Sequence, residues 1–91
     1  MLQPVFTKHF EKNIALCKKR NYDMELFKEV ATFLLEEKPL PEKYKDHKLS
    51  GNFDKHRECH IKPDWLLIYC YNNNHTQVIF EQTGTHSDLF G

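Results

Sequence analysis

Residues 56–71 read His-Arg-Glu-Cys-His-Ile-Lys-Pro-Asp-Trp-Leu-Leu-Ile-Tyr-Cys-Tyr, and the period of that stretch decides the fold. Its first half alternates. His56, Glu58, His60 and Lys62 fall on one side and Arg57, Cys59 and Ile61 on the other, the two-residue period of a strand. Pro63-Asp64 marks a turn, and Trp65 to Tyr71 is an almost unbroken apolar strand. Asn72-Asn73-Asn74 then turns the chain into residues 77–83, with Val78, Ile79 and Phe80 as buried positions. The expectation is an antiparallel meander of three strands over residues 56–62, 65–72 and 77–83.

Upstream of Pro41 the period is helical. Thr7 can cap a helix running to about Arg20, with Phe10, Ile14 and Cys17 on one face. Asn21-Tyr22-Asp23 breaks it, and Asp23 caps a second helix. Leu26, Phe27, Val30, Ala31, Phe33 and Leu34 give that helix a broad apolar stripe, and Pro39 and Pro41 end it. The short break predicts an antiparallel helical hairpin. Residues 2–6 can form an edge strand, the one place where Pro4 is tolerated. Leu49-Ser50-Gly51 is a turn, and Thr85 or Ser87 can cap a last short turn ending at Phe90. Helices followed by strands make an α+β layer fold, expected as two N-terminal helices packed on a small twisted antiparallel sheet. The helices cover one face of the sheet, which leaves an open, polar face for His56, Glu58 and His60.

At 91 residues the chain is expected to be one domain spanning 1–91, with its 7 Phe as the main core material. Net charge is zero, but residues 38–62 hold 7 basic against 4 acidic side chains. That segment, through Lys43, Lys45, Lys48, Lys55, Arg57 and Lys62, is the candidate cationic surface, weaker than the usual footprint of a nucleic-acid binder. No apolar run approaches a membrane span, and the N-terminus lacks the apolar core of a signal peptide. Cys17, Cys59 and Cys70 are odd in number and lack CxxC spacing, as expected of reduced thiols in a cytoplasmic protein.

His47, His56, His60 and His86 stand beside turns or in short strands. Histidine titrates near neutrality, so a sheet that gathers several on one face is equipped for proton transfer. His9 and His75 sit on a helix face and in a turn, and carry no assigned role. In a strand His56 and His60 lie about 13 Å apart, too far to share a metal, and no Cys stands at ligand spacing. No metal or other cofactor is therefore expected. Cys59 faces the core and is not a nucleophile, and isolated Gly51, Gly84 and Gly91 build no phosphate loop. What remains is metal-free acid/base chemistry. RNA suits it, because the 2′-OH can attack its own adjacent phosphate once a base, an acid and nearby cations are supplied.

Three blocks sharpen this: residues 44–51 (YKDHKLSG), 57–69 (RECHIKPDWLLIY) and 80–90 (FEQTGTHSDLF). In order and spacing they closely resemble the YafQ-type toxins of the RelE superfamily, over essentially the whole chain. The resemblance implies a RelE-like fold and the toxin half of a type II toxin–antitoxin pair. Such a toxin is a ribosome-dependent endoribonuclease that cuts translated mRNA and is neutralised by a tightly bound cognate antitoxin. By motif position, the catalytic residues it implies are His47, His60, Asp64 and His86. Trp65, Phe90, Glu58, Gln82, Lys48 and Arg57 are implied to contact substrate. Glu58 stands where relatives often have Asp, and Gln82 where similar toxins often have Arg, so a phosphate-binding cation is missing there. Two alternatives remain at this level: a toxin-like protein that binds without cleaving, and a gyrase poison, a branch that lacks this histidine set.

Overall fold

The structure, a computed structural model, describes residues 1–51 and 55–91. In chain order it runs β1 (Gln3–Phe6), α1 (Lys8–Lys19), α2 (Met24–Leu35), a single 3-10 turn (Glu42–Tyr44), β2 (His47–Lys48), β3 (Arg57–Lys62), β4 (Trp65–Tyr71), β5 (Gln77–Gly84) and α3 (His86–Phe90). Helices and sheet form the α+β layers expected, and the three main strands fall within a residue or two of the sequence reading. The sheet is five-stranded in the order β1-β5-β4-β3-β2.

One expectation needs correction: the sheet is mixed, not wholly antiparallel. β3, β4 and β5 form the antiparallel meander, but β1 lies parallel to β5, with Pro4 opposite Val78. The helical pair α1 and α2 separates β1 from the rest in sequence, so β1 is free to enter in either direction. Pro4 still sits on an edge strand, where its missing N–H costs no ladder bond. β2 was not legible from periodicity. It is two residues long and pairs His47 with Glu58 and Lys48 with Arg57.

The helices end where their caps dictate. The Thr7 hydroxyl accepts from the Phe10 N–H at 2.9 Å and donates to the Glu81 carbonyl, tying the start of α1 to β5. Asp23 caps α2 through the Glu25 N–H. Packed against the sheet, α1 and α2 enclose an aromatic core. The Phe10 ring lies 5.8 Å from Phe80 and 5.6 Å from Phe27, and Tyr22 lies 4.9 Å from Trp65. Cys59, Ile61, Leu67, Tyr69 and Val78 complete that layer.

The opposite face is less open than expected. Cross-strand partners share a face, so His60, Leu66 and Gly84 form one row across β3, β4 and β5, and Glu58, Ile68 and Gln82 form the next. Leu66, Ile68 and Glu58 are buried there, which explains why β4 reads as a continuous apolar run. An irregularity at Ile68/Tyr69 lets Phe80 face the helices while Gln82 faces the histidines.

Candidate active site

Each side chain on the polar face is set by a local device. The 3-10 turn is followed by Lys45 in the left-handed region (φ 48°), and this reversal delivers His47 to the edge of β3. Asp46 is held at the same time by Arg57 at 2.9 Å and by the Tyr69 hydroxyl. Tyr44, buried below, donates its hydroxyl proton to Glu29 of α2. The His47 Nδ1 lies 2.8 Å from the Lys45 carbonyl, and the His60 Nδ1 lies 3.3 Å from the Pro63 carbonyl. A carbonyl only accepts, so both rings carry a proton on Nδ1 and turn Nε2 inward.

Both Nε2 atoms converge on one oxygen. Glu58 Oε1 lies 3.3 Å from His47 Nε2 and 3.5 Å from His60 Nε2. Glu58 is the only buried carboxylate among the described residues, and it accepts a hydrogen bond from either ring only when that ring also carries a proton on Nε2. The third ring, His86, follows the end of β5. Thr85 caps α3 in a capping box with Asp88. Arg20 forks onto Asp88 at 2.6 and 3.1 Å and so ties α3 to the end of α1. Gly84 is required there, because its φ is +153° and a Cβ would come within 2.8 Å of Asp88 Oδ2. Asp64, in the β3–β4 turn, accepts from the His86 N–H at 2.9 Å and from its Nδ1 at 2.6 Å. These two bonds, the backbone one first, hold the Asp64 carboxyl below its ordinary value, so it stays an anion beside the imidazole.

The result is a row of three imidazoles. Ring centroids are 6.1 Å apart for His47 and His60 and 5.9 Å for His60 and His86. Glu58 bridges His47 and His60, and Asp64 holds His86 at the other end of the row. A groove of about 530 Å³ runs beside His60, lined by Lys43, Lys45 and Lys62 among others. The ligand atoms of His47, Glu58 and His60 also lie within 4.8 Å of one another, close enough to take a metal ion.

His47, Glu58, His60, Asp64 and His86 are thus brought together, with Gln82 on the same face and exposed Phe90 at the end of α3. Three substrate contacts expected from the sequence fall elsewhere. Trp65 is 2% exposed and donates its indole N–H to the Thr83 hydroxyl at 2.9 Å, so neither ring face is open to a base. Arg57 lies on the opposite face from His60 and is committed to Asp46, which makes it an anchor of the His47 turn. Lys48 is Arg57's cross-strand partner and points away from His47. The site's own cations are Lys43, Lys45 and Lys62, which the sequence placed only in a general basic segment. Arg20 was missed, because nothing in sequence joins it to Asp88, 68 residues away. The Thr85-x-x-Asp88 capping box could have been read.

Residues 2–91 match the family described as "Bacterial toxin of type II toxin-antitoxin system, YafQ". The chain is 40% identical over 87 residues to the mRNA interferase toxin YafQ of Escherichia coli K12, covering 94% of this chain and 92% of that protein. Among solved structures, the Escherichia coli DinJ-YafQ complex matches with TM-score 0.90 and 38% identity, covering all of both chains. A metal-bound toxin from Helicobacter pylori matches with TM-score 0.93 and 39% identity, covering 99% of this chain and 100% of that one. Two helices on a five-stranded mixed sheet, with a histidine–carboxylate row on the far face, define a small bacterial toxin of the type II class. Within that class, the chain belongs to the YafQ family.

Proposed function

We propose that the chain is an endoribonuclease that cuts mRNA on the ribosome by metal-independent attack of the 2′-OH on its own phosphate. The observation that carries the reading is the row of three imidazoles, with Glu58 between His47 and His60 and Asp64 on His86. Adjacent ring centroids near 6 Å apart set two imidazoles close enough to serve different oxygens of a single phosphodiester. His60 is the base: its ring is fixed by the Pro63 carbonyl, and Glu58 stabilises the imidazolium formed when it takes the 2′ proton. His86 is the acid: Asp64 holds its Nδ1–H and leaves Nε2 to protonate the departing 5′ oxygen. His47 shares Glu58 and adds positive charge when protonated. Lys43, Lys45 and Lys62 receive the RNA backbone and offset charge on the phosphorane. Gln82 contributes hydrogen bonding without charge, and Phe90 offers an exposed ring to a base.

A cognate antitoxin, as in the Escherichia coli complex, would silence the chain by folding a segment over the cationic region 43–62. The setting is the cytoplasm, and residues 1–91 act as one domain. Among the described residues no helix is long and apolar enough to cross a membrane.

The test is RNA cleavage with end-group analysis. Products should carry a 5′-hydroxyl and a 2′,3′-cyclic phosphate or 3′-phosphate, and EDTA should leave the rate unchanged. Zinc or copper added in excess should inhibit, because a metal on His47, Glu58 and His60 takes the Nε2 atoms away from proton transfer. Cleavage that stops with a chelator and leaves 5′-phosphates would overturn the mechanism.

A further inference from the structure

A second cluster of ligand-type side chains lies on the polar face, apart from the imidazole row. His56 stands one residue before β3, Cys70 near the end of β4, and Glu81 at the irregularity in β5. The register that pairs Arg57 with Tyr69 carries His56 to the level of Cys70, so three neighbouring strands contribute one group each. Their ligand atoms all lie within 4.8 Å of one another, and His56 Nε2 is 3.6 Å from Glu81 Oε2. All three residues are partly buried, which limits their freedom to move apart and leaves an approach for solvent.

The geometry points to a transition-metal site at His56, Cys70 and Glu81, one that takes zinc with water in the fourth position. An imidazole, a thiolate and a carboxylate are the three ligand types that zinc accepts. With metal–ligand bonds of about 2.0–2.3 Å, tetrahedral ligands stand roughly 3.3–3.8 Å apart. The observed cluster therefore needs only side-chain adjustment to close. Backbone support comes from the sheet itself, since each ligand is carried by a hydrogen-bonded strand or its immediate flank. Before metal arrives, burial and the nearby Glu81 carboxylate raise the Cys70 thiol above its ordinary value, so it stays protonated. On binding, the S–H proton passes to solvent and a metal–sulfur bond forms: one proton released per ion, with no change of oxidation state. The ion would bridge β3, β4 and β5 at the end of the face away from His86. It differs from the His47–Glu58–His60 trio in one measurable respect, the presence of sulfur.

The experiment is a cobalt(II) titration of the full chain, followed by zinc displacement. Wild type should develop a thiolate-to-cobalt charge-transfer band in the near ultraviolet that saturates at one equivalent, and zinc should abolish it. Cys70→Ser should remove the band, His56→Gln should weaken cobalt binding at least tenfold, and His47→Ala should leave the band in place. Zinc should also protect Cys70 from alkylation by a maleimide, a readout independent of RNA cleavage. No charge-transfer band in wild type, or a band that persists in Cys70→Ser, would overturn the proposal. Because His47→Ala disables the imidazole row without touching this cluster, failure here and failure of the cleavage mechanism are separable.

Discussion

The two faces of this sheet use the same strands for opposite purposes. On the helix-covered face, Phe10, Phe27, Phe80, Tyr22 and Trp65 pack ring against ring, and their identity is set by volume and apolar area. On the other face, Leu66 and Ile68 make a dry floor from which Glu58 and the histidines project. A low-dielectric floor strengthens every charge interaction above it, so in the proposed mechanism the apolar residues of the polar face would serve the chemistry as well as the fold. On the helix face substitutions that keep volume should be tolerated, whereas under the proposed mechanism the histidine face should tolerate none that change where a proton sits.

The largest effect should come from the histidine face. His86→Ala and His60→Ala should each lower RNA cleavage by about 100- to 10,000-fold, the usual cost of losing a positioned acid or base. Thermal unfolding should be nearly unchanged for His86→Ala, whose ring is exposed, and only modestly lowered for the partly buried His60→Ala. A large fall in Tm for either variant would collapse the distinction between the faces.

Trp65→Ala probes the other side. The buried indole should cost about 3–5 kcal/mol of stability, measured by urea unfolding. If instead stability held and only KM rose, Trp65 would be a substrate contact after all.

Arg20 links the two regions, because it reaches from α1 to the helix that carries His86. Arg20→Ala should reduce kcat about tenfold with KM nearly unchanged, by loosening α3 without touching RNA. The same pair predicts an acid limit. The Arg20 hydrogen bonds hold the Asp88 carboxyl well below the usual carboxylate range. A carboxyl depressed on folding contributes stability that is complete above its ordinary value of 3.8 and is lost as pH falls through the lower folded value. In Arg20→Ala that loss should move to higher pH, which His86 ring resonances in an acid titration would report. An unshifted titration would show that Arg20 does not govern α3.

The smallest effect is expected at Gln82, beside the buried floor. Gln82→Arg should improve RNA affinity by about 1 kcal/mol, roughly fivefold at low salt, and the gain should shrink as ionic strength rises. A gain that ignored salt would mean the residue acts by shape and not by charge.

Sequence by itself determined most of the elements and the candidate residues of the site. The helices were legible because Thr7 and Asp23 are caps followed by 3.6-residue apolar stripes, and the strands because residues 56–62 alternate and 65–71 form a strand-length apolar run between turn signals. The candidate histidines and Asp64 stood in motif blocks that persist whatever the packing. Tertiary structure alone decided three things. It set the direction of β1, because parallel and antiparallel edge strands have the same local pattern. It turned Trp65, Lys48 and Arg57 away from the histidine face, because strand alternation fixes a side only relative to neighbours and not relative to solvent. And it brought Glu58 between two imidazoles and Arg20 onto Asp88, contacts across 11, 2 and 68 residues that depend on register and helix placement rather than on composition. Local sequence encodes the period of a segment, but which groups share a buried charge is settled only when the segments meet.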